Sequence, residues 1–115
     1  MELSRQISYK DFGNIFDRIG ILGKEAEFFE DLCQYKNVRI ERIVSRGQSS
    51  PEEGYYDQDW MEIVLVVQGE ARLEIEGEVC TLALGEWRVL GPHVKHRVIE
   101  TSRDPACVWL AIHIK

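Results

Sequence analysis

A chain of 115 residues is the size of one domain, and 44% hydrophobic with 30% charged residues is ordinary globular composition. The formal net charge of −6 argues against a general nucleic-acid or anionic-membrane binder, which would carry a basic excess. No apolar run approaches the ~18 residues of a membrane span. The N-terminal stretch "MELSRQISYKDFG" lacks the apolar segment of a signal peptide, so a cytoplasmic protein is expected, with no membrane or nucleic acid among its partners.

In chain order, Phe12, Ile15, Phe16 and Ile19 come first. They share a helix-like spacing that Gly13 and Gly20 interrupt. The stretch reads as a weak helix or as an apolar arm lying across the domain or a partner. Residues 24–34, "KEAEFFEDLCQ", set Phe28 with Leu32 and Phe29 with Cys33 at i, i+4, with Glu25, Glu27, Glu30 and Asp31 largely off that stripe. The spacing predicts a short amphipathic helix. Cys33, Cys80 and Cys107 are an odd, widely spaced set without a CxxC, which points to reduced, buried thiols and not to a disulfide framework or zinc knuckle.

From Asn37 onward the period is two. "NVRIERIVSR" alternates Val38 and Ile40 with Arg39 and Glu41, and "ARLEIEG" alternates Ala71, Leu73 and Ile75 with Arg72, Glu74 and Glu76. Both read as half-buried strands. "MEIVLVV" is apolar on both faces and should be covered on both sides. Further strands are expected at "VCTLAL", "WRVLG", "KHRVIE" and "ACVWLAIHI", divided by turn signals at 68–70, 76–78, 84–86, 91–92 and 102–105. Many short strands behind a small N-terminal segment predict an all-β sandwich or barrel, with residues 1–36 as an arm and short helix packed on a barrel of 37–115.

Two polar residues sit on apolar strand faces. Glu62 shares its face with Val64 and Val66, and His96 shares its face with Val94 and Val98. A lone buried carboxylate is costly, so Glu62 should have a cation, a hydrogen-bond partner or water. A divalent metal between Glu62 and His96 would explain both residues, since imidazole and carboxylate ligate zinc, iron, manganese and nickel. A satisfied buried acid and a core histidine are the structural alternatives.

The stretch from Gly47 to Ile75 resembles the first cupin motif, Gly-x5-His-x-His-x3–4-Glu-x6-Gly, with Glu62 and Gly69 matching its second half. "GEWRVLGPHVKHRVIE" resembles the second motif: Gly85 takes its first position and His96 its histidine, while Gly91, His93 and Glu100 stand where proline, glycine and asparagine are usual. The resemblance covers residues 38–114 and implies an all-β fold: a small double-stranded β-helix, or jelly-roll barrel, preceded here by the short helical segment. The His-x-His pair is missing. A three-residue spacer puts Tyr56 and Gln58 in its place, and a four-residue spacer puts Tyr55 and Asp57 there. The candidate metal set is therefore Glu62 and His96 with Gln58 or Asp57, and His93 as a fourth. Tyr55, Tyr56, Trp60 and Trp87 are candidates for a ligand-pocket wall, with Trp109 less favoured, and His113 reads as structural.

The resemblance implies a divalent-metal site inside the barrel that binds or transforms a small molecule, through chemistry such as dioxygenation, isomerisation or decarboxylation. No residue is singled out as catalytic, and enzyme status stays open. A metal-free small-molecule-binding or structural dimeric cupin is the alternative. The resemblance also implies a homodimer, and an open sheet of this size must protect its edges in any case.

Overall fold

The computed structural model describes residues 7–51 and 53–115, so the first six residues of the expected arm, and Glu52, lie outside the described residues. Among the described residues nine strands follow one another: β1 (Ile7–Tyr9), β2 (Phe28–Tyr35), β3 (Val38–Ser45), β4 (Met61–Gln68), β5 (Ala71–Ile75), β6 (Glu78–Leu82), β7 (Trp87–Leu90), β8 (His96–Thr101) and β9 (Cys107–Ile114). They form a six-stranded sheet in the order β1-β2-β3-β9-β4-β7 and a three-stranded sheet in the order β6-β5-β8. The loop after β3 adds to the smaller sheet through single bridges of Ser50 to Val98 and Tyr56 to His96. No helix among the described residues is long and apolar enough to cross a membrane.

Strand alternation places the core between the two sheets. Ile43, Val64, Val66, Cys107, Trp109 and Ala111 face inward from the larger sheet, and Ala71, Leu73, Leu82 and Val98 meet them from the smaller one. Each buried aliphatic side chain of this size is worth about 1.5–3 kcal/mol. The Gly69 turn joins the strands that carry this core. Its φ is +76°, and a Cβ there would strike the Ser102 hydroxyl and come within 2.8 Å of the Ala106 carbonyl, so the position admits glycine alone. Cys107 is fully buried, and burial foremost, with Glu27 and Glu70 nearby, pushes its thiol up to about 12.

The short helix expected over residues 24–34 is not formed, and Phe28–Tyr35 is a strand paired antiparallel with β3. The reason is arithmetic: a spacing of i, i+4 is also even, so Phe28 and Leu32 share a face in a strand as they would in a helix. Glu30, off the stripe of a helix, falls between them on the strand face. Its carboxylate meets Arg42 Nε at 2.9 Å from the neighbouring strand. A bulge between Asp31 and Cys33 then shifts the register.

Ahead of β2, residues 11–26 form turns that lie over the outer side of β3. Their backbone carbonyls are held by side chains from that strand and the loop after it. Arg42 Nη1 donates to Ile15 O at 3.1 Å and Asp17 O at 2.8 Å, Arg46 donates to Ile19 O and to Leu22 O, and Gln48 Nε2 donates to Gly23 O at 2.8 Å. The hydrogen bonds that the turns cannot make internally are supplied from the barrel. Phe12, at 93% exposed, packs on nothing among the described residues.

Beyond the reach of these turns, the outer face of the larger sheet stays apolar. Trp87 and Val89 of β7 pair with Leu65 and Ile63 of β4, which pair in turn with Leu110 and Ile112 of β9, and Met61 lies opposite Ile114. The β4 and β9 residues at its centre are half-buried, while Trp87 is 63% exposed. The covering expected on both faces of "MEIVLVV" is therefore complete only on the inner one.

Arg42, 2% exposed, binds one carboxylate and two carbonyls. Its removal leaves both carbonyls without this donor and leaves Glu30 with Lys10 alone, at 2.7 Å. Arg42→Ala is expected to lose about 3 kcal/mol or more in urea unfolding, and a loss below about 1 kcal/mol would show that the latch is dispensable.

Candidate functional site

Between the sheets lies a cavity of about 210 Å³. Its polar wall is built by strand parity. Arg39 and Glu41 point in from β3, Glu62 from β4, His113 from β9 and His96 from β8, while Tyr56 and Gln58 reach it from the loop bridged to β8. Val64, Leu73, Leu90, Val98 and Trp109 make the apolar remainder.

Glu41 anchors one side. His113 Nε2 donates to Glu41 Oε1 at 2.9 Å, and Arg39 Nη1 donates to Glu41 Oε2 at 2.9 Å and to Asp31 at 3.2 Å. The indole N–H of Trp60 donates to His113 Nδ1 at 2.9 Å. An indole nitrogen can only donate, so His113 accepts at Nδ1 and carries its ring proton at Nε2. Burial alone would raise the Glu41 carboxyl, but the His113 and Arg39 bonds outweigh it and hold the group below the usual carboxylate range.

Glu62 has no such partners. It is buried, and its Oε1 has no hydrogen-bond partner among the described residues. The nearest groups are His96 Nε2, 3.6 Å from Oε1, and His113 Nε2, 3.9 Å from Oε2 and already committed to Glu41. His96 Nδ1 lies 2.9 Å from the Val94 carbonyl, which can only accept, so Nδ1 carries a proton. In the neutral ring the free lone pair, at Nε2, then faces a carboxylate oxygen. Burial works against the imidazolium, yet Glu62 and the Val94 carbonyl together raise the His96 pKa above its usual value.

A second hydrogen-bond chain closes another part of the wall. Trp109 Nε1 donates to Ser45 Oγ at 3.1 Å, and Ser45 donates to the Glu27 carboxyl. Burial pushes the Glu27 carboxyl up by more than the Ser45 and Ser50 hydroxyls pull it back. The Tyr56 hydroxyl bonds to Ser50, and its ring packs on His96 with centroids 5.4 Å apart. Burial, followed by the field of Glu27, Glu62 and Glu41, raises the Tyr56 phenol above its usual value.

Of the residues singled out in the sequence, Glu62, His96, Gln58 and Tyr56 come together at the cavity. Asp57 and His93 do not. They are exposed and pair with each other, His93 Nδ1 lying 2.8 Å from Asp57 Oδ1. His93 has φ 62°, and its N–H donates to Gln58 O at 2.6 Å, which clips the loop from outside. Tyr55 is also outside, bonded to Glu74 on the smaller sheet. Trp87 is on the outer face, and Trp60 stands behind His113. Trp109, less favoured in the sequence, lines the cavity. His113, Arg39, Glu41, Glu27 and Ser50 are wall residues that sequence reasoning missed. His113 was readable, since it has the parity of Trp109 and Ala111. Arg39 and Glu41 were assigned to the outer face because Val38 and Ile40 are the more apolar pair. Nothing in the sequence marks Glu27 or Ser50.

A metal centre needs more than this wall provides. A catalytic zinc site, for example, uses three protein ligands and an open position. Among the described residues, no group of three or more His, Cys, Asp or Glu side chains could hold a metal ion. Glu62 and His96 are suitably aimed, but His113 has both nitrogens engaged and Gln58 offers only a neutral amide. The donor set does not fit a resident metal.

The Glu41 cluster predicts a pH dependence. A carboxyl held below its ordinary value near 4.5 contributes stability that is complete above that pH and lost as pH falls through the lower folded value. Glu41→Gln is expected to be less stable than the wild type at pH 7, with the gap narrowing below about pH 4.5. A gap that stays constant down to pH 3 in urea titrations would remove the ionic role.

The comparisons agree with this architecture. The family model described as a cupin domain matches residues 42–113. A Ralstonia eutropha protein described provisionally as a mannose-6-phosphate isomerase is 37% identical, over 92% of this chain and 99% of that one, with a TM-score of 0.84. RmlC-like cupins from Shewanella frigidimarina (18% identity, 95% and 93% covered, TM-score 0.71) and Desulfovibrio desulfuricans (14%, 92% and 97%, 0.74) share the fold. No protein of curated function matches the chain. The barrel, the turn at Gly69 and the inward Glu62 and His96 are thus features of a member of the cupin domain family, to which this chain belongs.

Proposed function

We propose that this cupin binds a compact, hydrogen-bond-donating small molecule inside its barrel, anchored by Glu62 and His96, without a resident metal. The observation that carries the reading is the buried Glu62 Oε1 without a donor. Leaving such a group unpaired costs about 1–3 kcal/mol, and more when it is charged. An acceptor so placed is free to take a proton from whatever enters the cavity, and a ligand donor there would replace water.

The cavity limits what can fill it. A dry cavity of ~150 Å³ takes benzene, so about 210 Å³ suits a ligand of about eight non-hydrogen atoms. The wall carries the carboxyls of Glu27, Glu41 and Glu62 against one guanidinium, Arg39, that is already paired with Glu41 and Asp31. A phosphorylated hexose, named for the Ralstonia relative, is too large to be enclosed, and its dianion would face acids. Fold and family likeness alone do not transfer a substrate.

Glu62→Met separates this reading from a structural role. Removing an unpaired buried charge in favour of an apolar side chain is expected to raise the melting temperature of the ligand-free protein, by the equivalent of about 1–2 kcal/mol. The same variant should lose binding in a thermal-shift screen of small polyols, amides, amines and acids. A fall in stability of similar size would show that the fold needs Glu62.

We further propose that the expected homodimer uses the outer face of the larger sheet. Trp87, Val89, Met61, Ile63, Leu65, Leu110, Ile112 and Ile114 carry no charge. A chain of net charge −6 repels its own copy, and a face without charged side chains adds no local like-charge contact to that repulsion. Sheets packed face to face would bury it. Trp87→Glu is expected to convert a dimer to a monomer in sedimentation velocity; a wild type that is monomeric at 100 µM would end the proposal.

A further inference from the structure

Resting on the reading that the cavity binds a small molecule through Glu62 and His96, the geometry points to a primary amine, bound as its ammonium ion, as the ligand class. Three observations converge. The first is the pair of acceptors: Glu62 Oε1 lacks a donor, and His96 Nε2, whose ring proton is held on Nδ1 by the Val94 carbonyl, faces it at 3.6 Å. With the ring neutral, two acceptors that close need donors on a third group between them. A single hydroxyl has one proton and leaves one of the two unsatisfied. An ammonium nitrogen has three, one for each acceptor and one for the Gln58 amide oxygen or the Tyr56 hydroxyl on the same wall.

The second observation is charge. Each of the other carboxyls in the wall is provided for: Glu41 by Arg39 and His113, and Glu27 by Ser45. Arg39 is shared between Glu41 and Asp31 and offers Glu62 nothing. Glu62 is therefore the one wall carboxyl, among the described residues, without a hydrogen-bonded partner. A buried carboxylate is stabilised best by a paired and hydrogen-bonded cation. A neutral diol could offer two protons but no compensating charge. A carboxylate or phosphate ligand would add charge of the wrong sign.

The third is the aromatic wall. Tyr56, packed on His96, borders the space where the nitrogen would sit, and Trp109 lines the same cavity further along β9. Faces of tyrosine and tryptophan favour a cation by about 0.5–2 kcal/mol. A quaternary ammonium would share that attraction but has no N–H for Glu62 or His96, so the geometry selects a primary amine over a methylated one.

The test uses benzylamine, benzyl alcohol and benzoate, matched in shape, with tetramethylammonium as a methylated cation small enough to enter, titrated into the full chain at pH 8 and followed by calorimetry and tryptophan fluorescence. Benzylamine is expected to bind at least tenfold more tightly than any of the others. Glu62→Gln and His96→Gln should each weaken benzylamine at least tenfold and benzyl alcohol by a smaller factor, with circular dichroism showing both variants folded. Binding of the alcohol or the benzoate at equal or higher affinity would overturn the amine class while leaving cavity binding standing. Benzylamine binding that survives both substitutions would also overturn it. If no probe binds and Zn²⁺ or Mn²⁺ does, lost in the same variants, the pair is a metal site, and both the amine class and the metal-free reading fall. If nothing binds at all, the cavity-binding reading itself falls with it.

Discussion

The constraint on which the rest depends is that this barrel buries charge, and buried charge must be met by its opposite or by hydrogen bonds. Arg42, Glu41 and His113 are all enclosed in or beneath the larger sheet, and each has partners at normal hydrogen-bond distance. The pairings cross between strands far apart in the chain, as when His113 of β9 meets Glu41 of β3. They therefore fix the register of the central strands as well as neutralising charge. Against that background Glu62 stands out. It lies on the same inner face as Glu41 and His113, in the strand on the far side of β9 from β3, and its Oε1 is left without a donor.

The N-terminal turns follow from the same constraint. Arg42 and Arg46 point outward from β3 and the loop after it, where an open sheet face would leave them in water. The turns cover that side, and their carbonyls accept from both guanidinium groups. A segment with little regular structure of its own is thereby fixed by side chains of the barrel. The covering brings in Glu27 as well, which stands just before β2 and reaches the cavity wall beside Ser45. The arm is thus part of the site and not only its outer layer, although it lies outside the stretch that matches the family model.

The larger part of the fold was legible in the sequence because period-two alternation survives wherever one strand face is buried. β3 to β9 all begin and end close to the expected stretches, and Glu62 and His96 were recognisable as polar residues at apolar positions. What failed did so for identifiable reasons. Residues 28–35 satisfied both helical and strand spacing, and the deciding contact, Arg42 with Glu30, is made by another strand. In "VRIERI" the period was right and the face inverted. Both sides of β3 are covered, so hydrophobicity could not say which side held the cavity. Asp57 and His93 were plausible ligands by composition, yet a left-handed turn at His93 directs the pair outward. Local sequence does not encode where a loop finally faces.

The departure from the family's first motif explains why the site has a single open acceptor pair. Where the resemblance calls for two histidines, the wall has Tyr56 and Gln58. The tyrosine hydroxyl is tied to Ser50 and its ring covers His96, so the position that would have held a ligand nitrogen holds a packed aromatic face. The glutamate and the second-motif histidine remain. Removing two donors from a four-donor set while keeping its carboxylate leaves the negative charge in place and takes away the means of holding a metal against it. The charge is then available to a guest that brings its own proton donors, and an aromatic wall beside an uncompensated carboxylate is the surrounding in which a small organic cation is most strongly held. On the function proposed above, the degenerate motif would mark a change in what the cavity accepts, from an ion gripped by side chains to a molecule that completes their hydrogen bonds.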